Sequence, residues 1–433
     1  MISRREAILS TLFGAGYVGL RALATGLPAS LLLSPRKALA DTSMCTAQDK
    51  AQFIIFATSG SGDPINANVP GTYGDPMITH SADATMAPTP LTIQGQQYTA
   101  AAPWASLPQN VLDRTVFWHL MTNTPVHPKE PQVLELMGAT PAGEMLPSLL
   151  AKQLAPCLGT IQPQPISVGA LTPSEALTYG GAALPVVPAL ALKATLTNAA
   201  GPLTNLQPLR DQTLNQIYDV YKTSATPAQR RYIDSMVTTQ TQVRNISQSL
   251  LSSLASIKDN SAASQVLAAI ALIQMKVAPV ISIHIPFGGD NHRDIALATE
   301  AAQTVTGVAT IASLMQQLAS AGLQDQVTLM SLNVFGRTLG PSNTDGRQHN
   351  SNHQVSVTIG KPFRGGVVGG VRPVGADYGA LPIVSTSGAG DSGGDIAAVD
   401  TLAAFGQTML AAIGADPAAI SSATGKVVAS ALA

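Results

Sequence analysis

Carboxylates and imidazoles in this sequence gather where apolar runs end. The run 52–58 is followed by Asp63, and the run 280–285 is followed by Asp290-Asn291-His292. Continuous apolar runs of this length are typical of strands buried on both faces. Asp and His side chains are common ligands of zinc and manganese, which polarise ester oxygens or lower the pKa of a water. The spacing therefore predicts a metal site built from several strand ends.

A third apolar run, 326–332, is followed by Phe335-Gly336-Arg337 and then by a polar stretch, 345–353. Arginine guanidinium groups hold phosphate or sulfate oxygens bidentately, so this region predicts an anion-binding function beside the metal. The candidate residues of the polar stretch are Arg347, His349 and His353.

Each candidate also has a purely structural explanation. Asp and Asn after a strand are common turn residues, and a histidine in a polar loop is more often solvated than ligating. His284 lies within a predicted strand, where a core histidine with satisfied hydrogen bonds is the simpler interpretation. Only convergence of these side chains in space distinguishes a metal site from a set of turns.

Two glycine-rich motifs are interpreted as loops. Gly390-Asp391-Ser392-Gly393-Gly394 spells the nucleophile loop of trypsin-like serine proteases, but that fold is all-β and a helical pattern follows here directly. The stretch 365–370 lacks the Lys-Ser/Thr of a phosphate-binding P-loop.

The elements that must position the candidate residues alternate between strands and helices. A fourth buried strand is predicted for 354–359, and helices are predicted for about 305–318 and 396–413. This alternation predicts an α/β fold, a mostly parallel sheet flanked by helices. In such folds ligands bind beyond the carboxyl ends of the strands, where the candidate residues lie.

Composition divides the rest of the chain into segments. Residues of about 209–275 are rich in helix formers and predict a helical insertion, whereas 60–115 and 158–205 are rich in Pro, Thr and Gly and predict surface loops or a lid. We therefore expect one α/β domain over 41–433.

Residues 1–40 have the pattern of a twin-arginine export signal. Arg4-Arg5 precedes a moderately apolar stretch, and Ala38-Leu39-Ala40 provides a small-x-small cleavage site. An uncleaved membrane anchor is the alternative, but Arg21 disfavours it because a spanning helix needs about 20 mostly apolar residues. No later segment looks long and apolar enough to span. The expectation is a periplasmic or secreted protein without a stable transmembrane anchor.

The charge content bears on the class of binding partner, and the cysteine content bears on the compartment. The chain has 433 residues, 11% of them charged, and a net charge of −1 without a long run of one sign. Nucleic-acid binding needs clustered Lys and Arg, so that class of partner is disfavoured. The two cysteines, Cys45 and Cys157, either form a disulfide after export or remain free thiols.

The ordered motifs resemble a family of exported bacterial proteins, domain-of-unknown-function family 1501, whose members look like relatives of the alkaline phosphatase and sulfatase superfamily. The resemblance covers nearly the whole chain after residue 40. The motifs that carry it are Gly62-Asp63-Pro64-Ile65-Asn66, His119, His127-Pro128, Gly288-Gly289-Asp290-Asn291-His292, Phe335-Gly336-Arg337 and Gln348-His349.

The resemblance implies a sulfatase-like fold and a divalent ion of zinc, manganese or calcium. Two departures from the family pattern stand out: Gln348 takes the place of a usual Asp, and the Cys-x-Pro-x-Arg nucleophile motif of sulfatases is absent. The implied metal ligands are Asp63, Asp290, His292, His349 and His353.

Two functional hypotheses follow. The first is a metal-dependent hydrolase of a small phosphate or sulfate ester, with Arg337 or Arg347 holding the anion. The second is a non-catalytic binding or assembly protein of the cell envelope on the same fold, which Gln348 and the missing nucleophile favour.

Overall fold

A computed structural model of the chain describes residues 49–169, 177–197, 248–340, 345–420 and 426–433, together with isolated positions between 212 and 230. The predicted export signal, Cys45 and most of the predicted helical segment before residue 248 lie outside the described residues.

The described strands and helices alternate along much of the chain. The strands are β1 (Phe53–Ser59), β2 (Pro88–Ile93), β3 (Gln96–Ala101), β4 (Thr115–Leu120), β5 (Ile166–Ser167), β6 (Thr178–Tyr179), β7 (Ala182–Ala183), β8 (Val280–Ile283), β9 (Val327–Asn333), β10 (Gly336–Arg337), β11 (His349–Asn350), β12 (Gln354–Ile359), β13 (Gly366–Val368), β14 (Val371–Val374) and β15 (Asp377–Ala380). The α-helices are α1 (Ala102–Ala105), α2 (Gln109–Leu112), α3 (Glu130–Leu134), α4 (Leu146–Leu158), α5 (Ala189–Thr197), α6 (Gln248–Ala255), α7 (Ala262–Gln274), α8 (Ala298–Ser320) and α9 (Thr401–Ala412).

Seven strands form one central sheet in the order β13-β4-β12-β9-β1-β8-β5. β1 pairs in parallel with both β8 and β9, and β12 alone runs against its two neighbours, β4 and β9. The predicted α/β fold with a mostly parallel sheet is confirmed. The four predicted strands correspond to β1, β8, β9 and β12.

Both faces of the sheet are buried, which explains why the strand sequences are apolar without alternation. Ile55 of β1 belongs to the core on one face, where α7 and α8 pack. Its neighbours Ile54 and Phe56 belong to the core on the other face, where α4 and α9 pack. The result is a sheet between two layers of helices.

The strand directions bring several connections to one edge of the sheet. β1, β4, β8 and β9 all run the same way, so their carboxyl ends meet there. β12 runs in the opposite direction and therefore begins at that edge. The candidate residues of the sequence lie in these connections.

Two stretches differ from the sequence-based expectations. The segment 60–115, expected to be loop-rich, contains the β2–β3 hairpin, α1 and α2 and leads into β4. The span 295–320, which includes α8, is long and apolar enough by length and composition to cross a membrane. Ile311, Leu314 and Leu318 of this helix are buried in the core against the sheet, as in a core helix of a globular protein.

Candidate metal centre

The side chains of His127, Asp290, His292 and His349 converge at this edge of the sheet, and we call them the His–Asp cluster. One ligand atom from each lies within 4.8 Å of those of the other three. The Nε2 atoms of His292 and His349 are 2.8 Å apart, and His292 Nε2 lies 3.3 Å from Asp290 Oδ1. Imidazole nitrogens with one carboxylate are a donor set suited to a zinc-class metal.

Three separate connections supply the cluster. His127 begins the 3₁₀ turn His127–Lys129 after β4, Asp290 and His292 lie in the loop after β8, and His349 begins β11 just before β12. Because these connections are far apart in sequence, their meeting is a consequence of the sheet order.

Main-chain carbonyls fix the orientation of two of the imidazoles. His127 Nδ1 donates to the Gly60 carbonyl at 2.7 Å, and His349 Nδ1 donates to the Pro125 carbonyl at 2.5 Å. With the proton held on Nδ1, the Nε2 lone pair of each ring is available to a metal. Burial lowers the pKa of His349 below its ordinary value, which favours the neutral, ligating form.

One side of the cluster is open to water. The side chain of Asp290 is 51% exposed, and those of His127 and His292 are about one-third exposed. A metal at this position would therefore remain accessible to a water or a substrate as a further ligand.

The ring of Phe335 forms the floor of the cluster. Its centroid lies 4.9 Å from that of His127 and 4.3 Å from that of His349. Gly62, with φ of +67°, leaves room for this ring, since a Cβ atom at that position would overlap it. The loop after β1 thus contributes to the site through a missing side chain.

Arg337, which the sequence suggested for anion binding, is fully buried beneath the cluster. Its Nε donates to the Gly62 carbonyl at 2.5 Å, and its Nη2 donates to the Ser61 carbonyl at 2.6 Å and to Asp290 Oδ1 at 3.1 Å. These contacts make it a support for the Asp290 carboxylate.

A buried ion pair supports the loop that carries Asp290 and His292. Arg347 donates from Nε to Glu300 Oε2 at 2.7 Å and from Nη2 to Oε1 at 3.1 Å, and both side chains are almost completely buried. Asn291, between the two cluster residues, donates to Glu300 Oε2 at 3.0 Å. The second predicted anion-binding arginine is therefore also bound by protein groups.

The structure brings together three of the five predicted metal ligands. Asp290, His292 and His349 are in the cluster. Asp63 and His353 are buried outside it: Asp63 Oδ1 accepts from Ser59 Oγ at 3.1 Å. His284 is buried as expected for a core position, and its main-chain N–H donates to Gln265 Oε1.

His353 is paired with His119 in the core. His353 Nε2 lies 2.9 Å from His119 Nδ1, and His119 Nε2 donates to the Pro70 carbonyl at 2.9 Å. Burial lowers the pKa of His119 to about 4, and burial with the neighbouring imidazole lowers that of His353 well below its ordinary value. The pair is therefore neutral at pH 7.

His127 is the cluster member that the predicted ligand set omits. The motif resemblance points to His127-Pro128, but only the preceding strand explains its position. The signal for that strand is the apolar run Thr115–Leu120, which contains a Val, a Phe and a Trp. Recognising this run would have placed His127 at a strand end like the other candidates.

Substituting Gly62→Ala should displace the Phe335 ring and disorder the cluster. Gly95→Ala is the matched control, because Gly95 also has a positive φ (+79°) but no atom stands within 4 Å of its would-be Cβ. The strain of a non-glycine residue is then common to both variants. We expect zinc binding, measured by calorimetric titration, to be lost or at least tenfold weaker in Gly62→Ala only. Equal affinities in the two variants would contradict this role of Phe335.

The buried histidine pair predicts acid sensitivity. Since the folded-state pKa of His119 is about 4 and the unfolded value is 6.5, the unfolded chain binds more protons between these values. The stabilising contribution of His119 is therefore fully present well above pH 6.5 and is lost as the pH falls toward 4, by roughly 3 kcal/mol for this residue alone.

Denaturant unfolding across this pH range measures the effect. His119→Gln, which retains a donor for Pro70 and an acceptor for His353, should show a smaller loss of unfolding free energy over the same range. An unchanged pH dependence in this variant would refute the assignment.

Comparison with known proteins now gives the family. The family model described as "Protein of unknown function (DUF1501)" matches residues 198–420, which include Asp290, His292, Arg337 and His349. A search of curated proteins finds no match. Because the match covers more than half of the chain, the protein belongs to this family of unknown function.

Proposed function

We propose that the His–Asp cluster binds one zinc-class divalent ion and that the protein uses this ion to hydrolyse phosphate or sulfate esters. The observation that carries the proposal is the convergence of three imidazoles and one carboxylate at the ligand-binding edge of a mostly parallel sheet. A metal bound there would polarise an ester oxygen or lower the pKa of a water. Kinship with the alkaline phosphatase and sulfatase superfamily, implied by the motifs, is part of this proposal.

The donor set favours zinc over calcium. Calcium takes six to eight oxygen ligands, whereas this cluster offers three nitrogens and one carboxylate. Manganese accepts carboxylate and water more readily than imidazole, so it ranks after zinc.

The surrounding groups prepare the cluster for this role. The Gly60 and Pro125 carbonyls keep the Nε2 lone pairs of His127 and His349 directed inward. Arg337 holds Oδ1 of Asp290, so the carboxylate stays beside the imidazoles even though its side chain is half-exposed.

One observation favours the alternative of a non-catalytic metal-binding protein of the envelope. Arg337 and Arg347 are both buried and donate to protein acceptors, so neither presents a free guanidinium to a substrate anion. Under the hydrolase proposal the metal must therefore carry anion binding without them.

Metal content and turnover, measured on the same preparations, test both readings. We expect about one equivalent of zinc in the native protein, and hydrolysis of an aryl phosphate or aryl sulfate that a chelator abolishes. His349→Gln should lose the metal and the turnover, because it removes an inward Nε2. His80→Gln is the matched control, a histidine outside the cluster whose ring nitrogens make no hydrogen bond among the described residues.

The outcomes separate the two readings. A folded protein that binds no added zinc overturns the metal site and both functions built on it. Bound zinc that depends on His349, without turnover of either ester class, overturns the hydrolase and supports the envelope-binding alternative.

We further propose that the protein is exported by the twin-arginine route to the periplasm or beyond. The supporting observations are the Arg4-Arg5 motif and the disulfide bond made by Cys157, since such bonds persist in oxidising compartments. Arg4→Lys with Arg5→Lys should retain the protein in the cytoplasmic fraction, whereas Arg21→Lys should not. Unchanged export of the double variant would rule out this route.

A further inference from the structure

A row of hydrogen bonds through His119, His353 and Asn66 runs through the core beside the His–Asp cluster and links the buried histidine pair to β10. His353 Nδ1 lies 3.3 Å from Asn66 Nδ2. Asn66 in turn binds both main-chain groups of Arg337: its Nδ2 donates to the carbonyl at 2.7 Å, and its Oδ1 accepts from the N–H at 3.0 Å. The row therefore ends at the residue whose guanidinium holds Asp290.

The direction of every bond in this row is determined by its ends. The Pro70 carbonyl can only accept, so His119 carries its proton on Nε2 and accepts at Nδ1. His353 must then donate from Nε2 and accept at Nδ1, which requires an N–H donor at Asn66. The Asn66 orientation that the histidine pair requires is the same one that the main-chain N–H and carbonyl of Arg337 require.

The row is also tightly enclosed. The side chains of His119, His353 and Asn66 are fully buried, so water cannot replace a lost partner. A Cβ atom on Gly336 would overlap the His353 carbonyl and crowd the Asn66 amide. The backbone of β10 therefore packs directly against Asn66 and His353, which leaves little room for either side chain to shift independently of it.

From these contacts we propose that Asn66, His353 and His119 are positioning residues of the metal centre, which set its metal affinity through Arg337 and Asp290 without touching the metal. This inference rests on the proposed metal site. Substituting a residue that orients a metal ligand commonly weakens metal affinity by about 10–100-fold.

Cobalt titration of the full-length protein tests the proposal, with the absorption spectrum of Co²⁺ reporting ligand geometry. Asn66→Asp retains the size of the side chain and an acceptor for the Arg337 N–H, but it loses the N–H donor that binds both the Arg337 carbonyl and His353 Nδ1. We expect the cobalt dissociation constant to rise about 10–100-fold, with an altered spectrum. Gln265→Glu is the matched control, a buried amide-to-acid change whose hydrogen bonds lead to Asn260 and His284.

A second pair of variants keeps the test decisive if Asn66→Asp folds poorly. His353→Gln retains one donor and one acceptor and should retain near-native cobalt affinity, whereas His353→Leu retains neither and should lose about tenfold. A merely structural role would lower thermal stability in both without this difference in affinity.

The possible failures are distinguishable. If the native protein binds no cobalt, the proposed metal function itself fails. If the native protein binds cobalt and folded Asn66→Asp and His353→Leu bind it equally well with the same spectrum, the positioning proposal fails and the metal site stands.

Discussion

The buried guanidinium of Arg337 is the interaction on which this end of the fold depends. A buried charge costs several kcal/mol unless it is paired and hydrogen-bonded. Arg337 meets this cost with the Ser61 and Gly62 carbonyls after β1 and with the Asp290 carboxylate after β8. Because Arg337 itself follows β9, its guanidinium joins the ends of three strands, β1, β8 and β9. The Asp290 carboxylate is thereby held close to the imidazoles of the cluster.

Both arginines bind oxygen acceptors, as their chemistry predicts, but the acceptors belong to the protein and not to a ligand. Bidentate binding of an anion was expected of Arg347, and it does bind a carboxylate through two nitrogens, but the carboxylate is Glu300 of α8. That pair also binds Asn291 and so stabilises the loop between Asp290 and His292. Arg337 and Arg347 therefore position other residues of the site, because protein acceptors occupy their guanidinium groups.

The sequence was informative where a local pattern determines structure. Four buried strands and the α/β class followed from apolar runs, and Asp290, His292 and His349 followed from the polar residues after them. The strand before His127 does have a local signal, the run Thr115–Leu120, but the burial of His353 depends on a pairing between distant segments: β4 lies beside β12, and the partner of His353 is His119 of β4. No local spacing encodes such contacts, so a solvated, ligating and buried histidine look alike in one sequence.

The presence of Gln348 in place of a usual Asp does not argue against a metal site, because another residue supplies the carboxylate of the cluster. Gln348 is exposed, and its main chain pairs with Thr338, while Asp290 supplies the carboxylate. As metal ligands, imidazoles carry no charge and a carboxylate carries −1, so a divalent ion held by this donor set would retain about +1. Such a centre, open on one side, would attract an anionic ester without a free guanidinium, so the burial of both arginines is compatible with the proposed hydrolase.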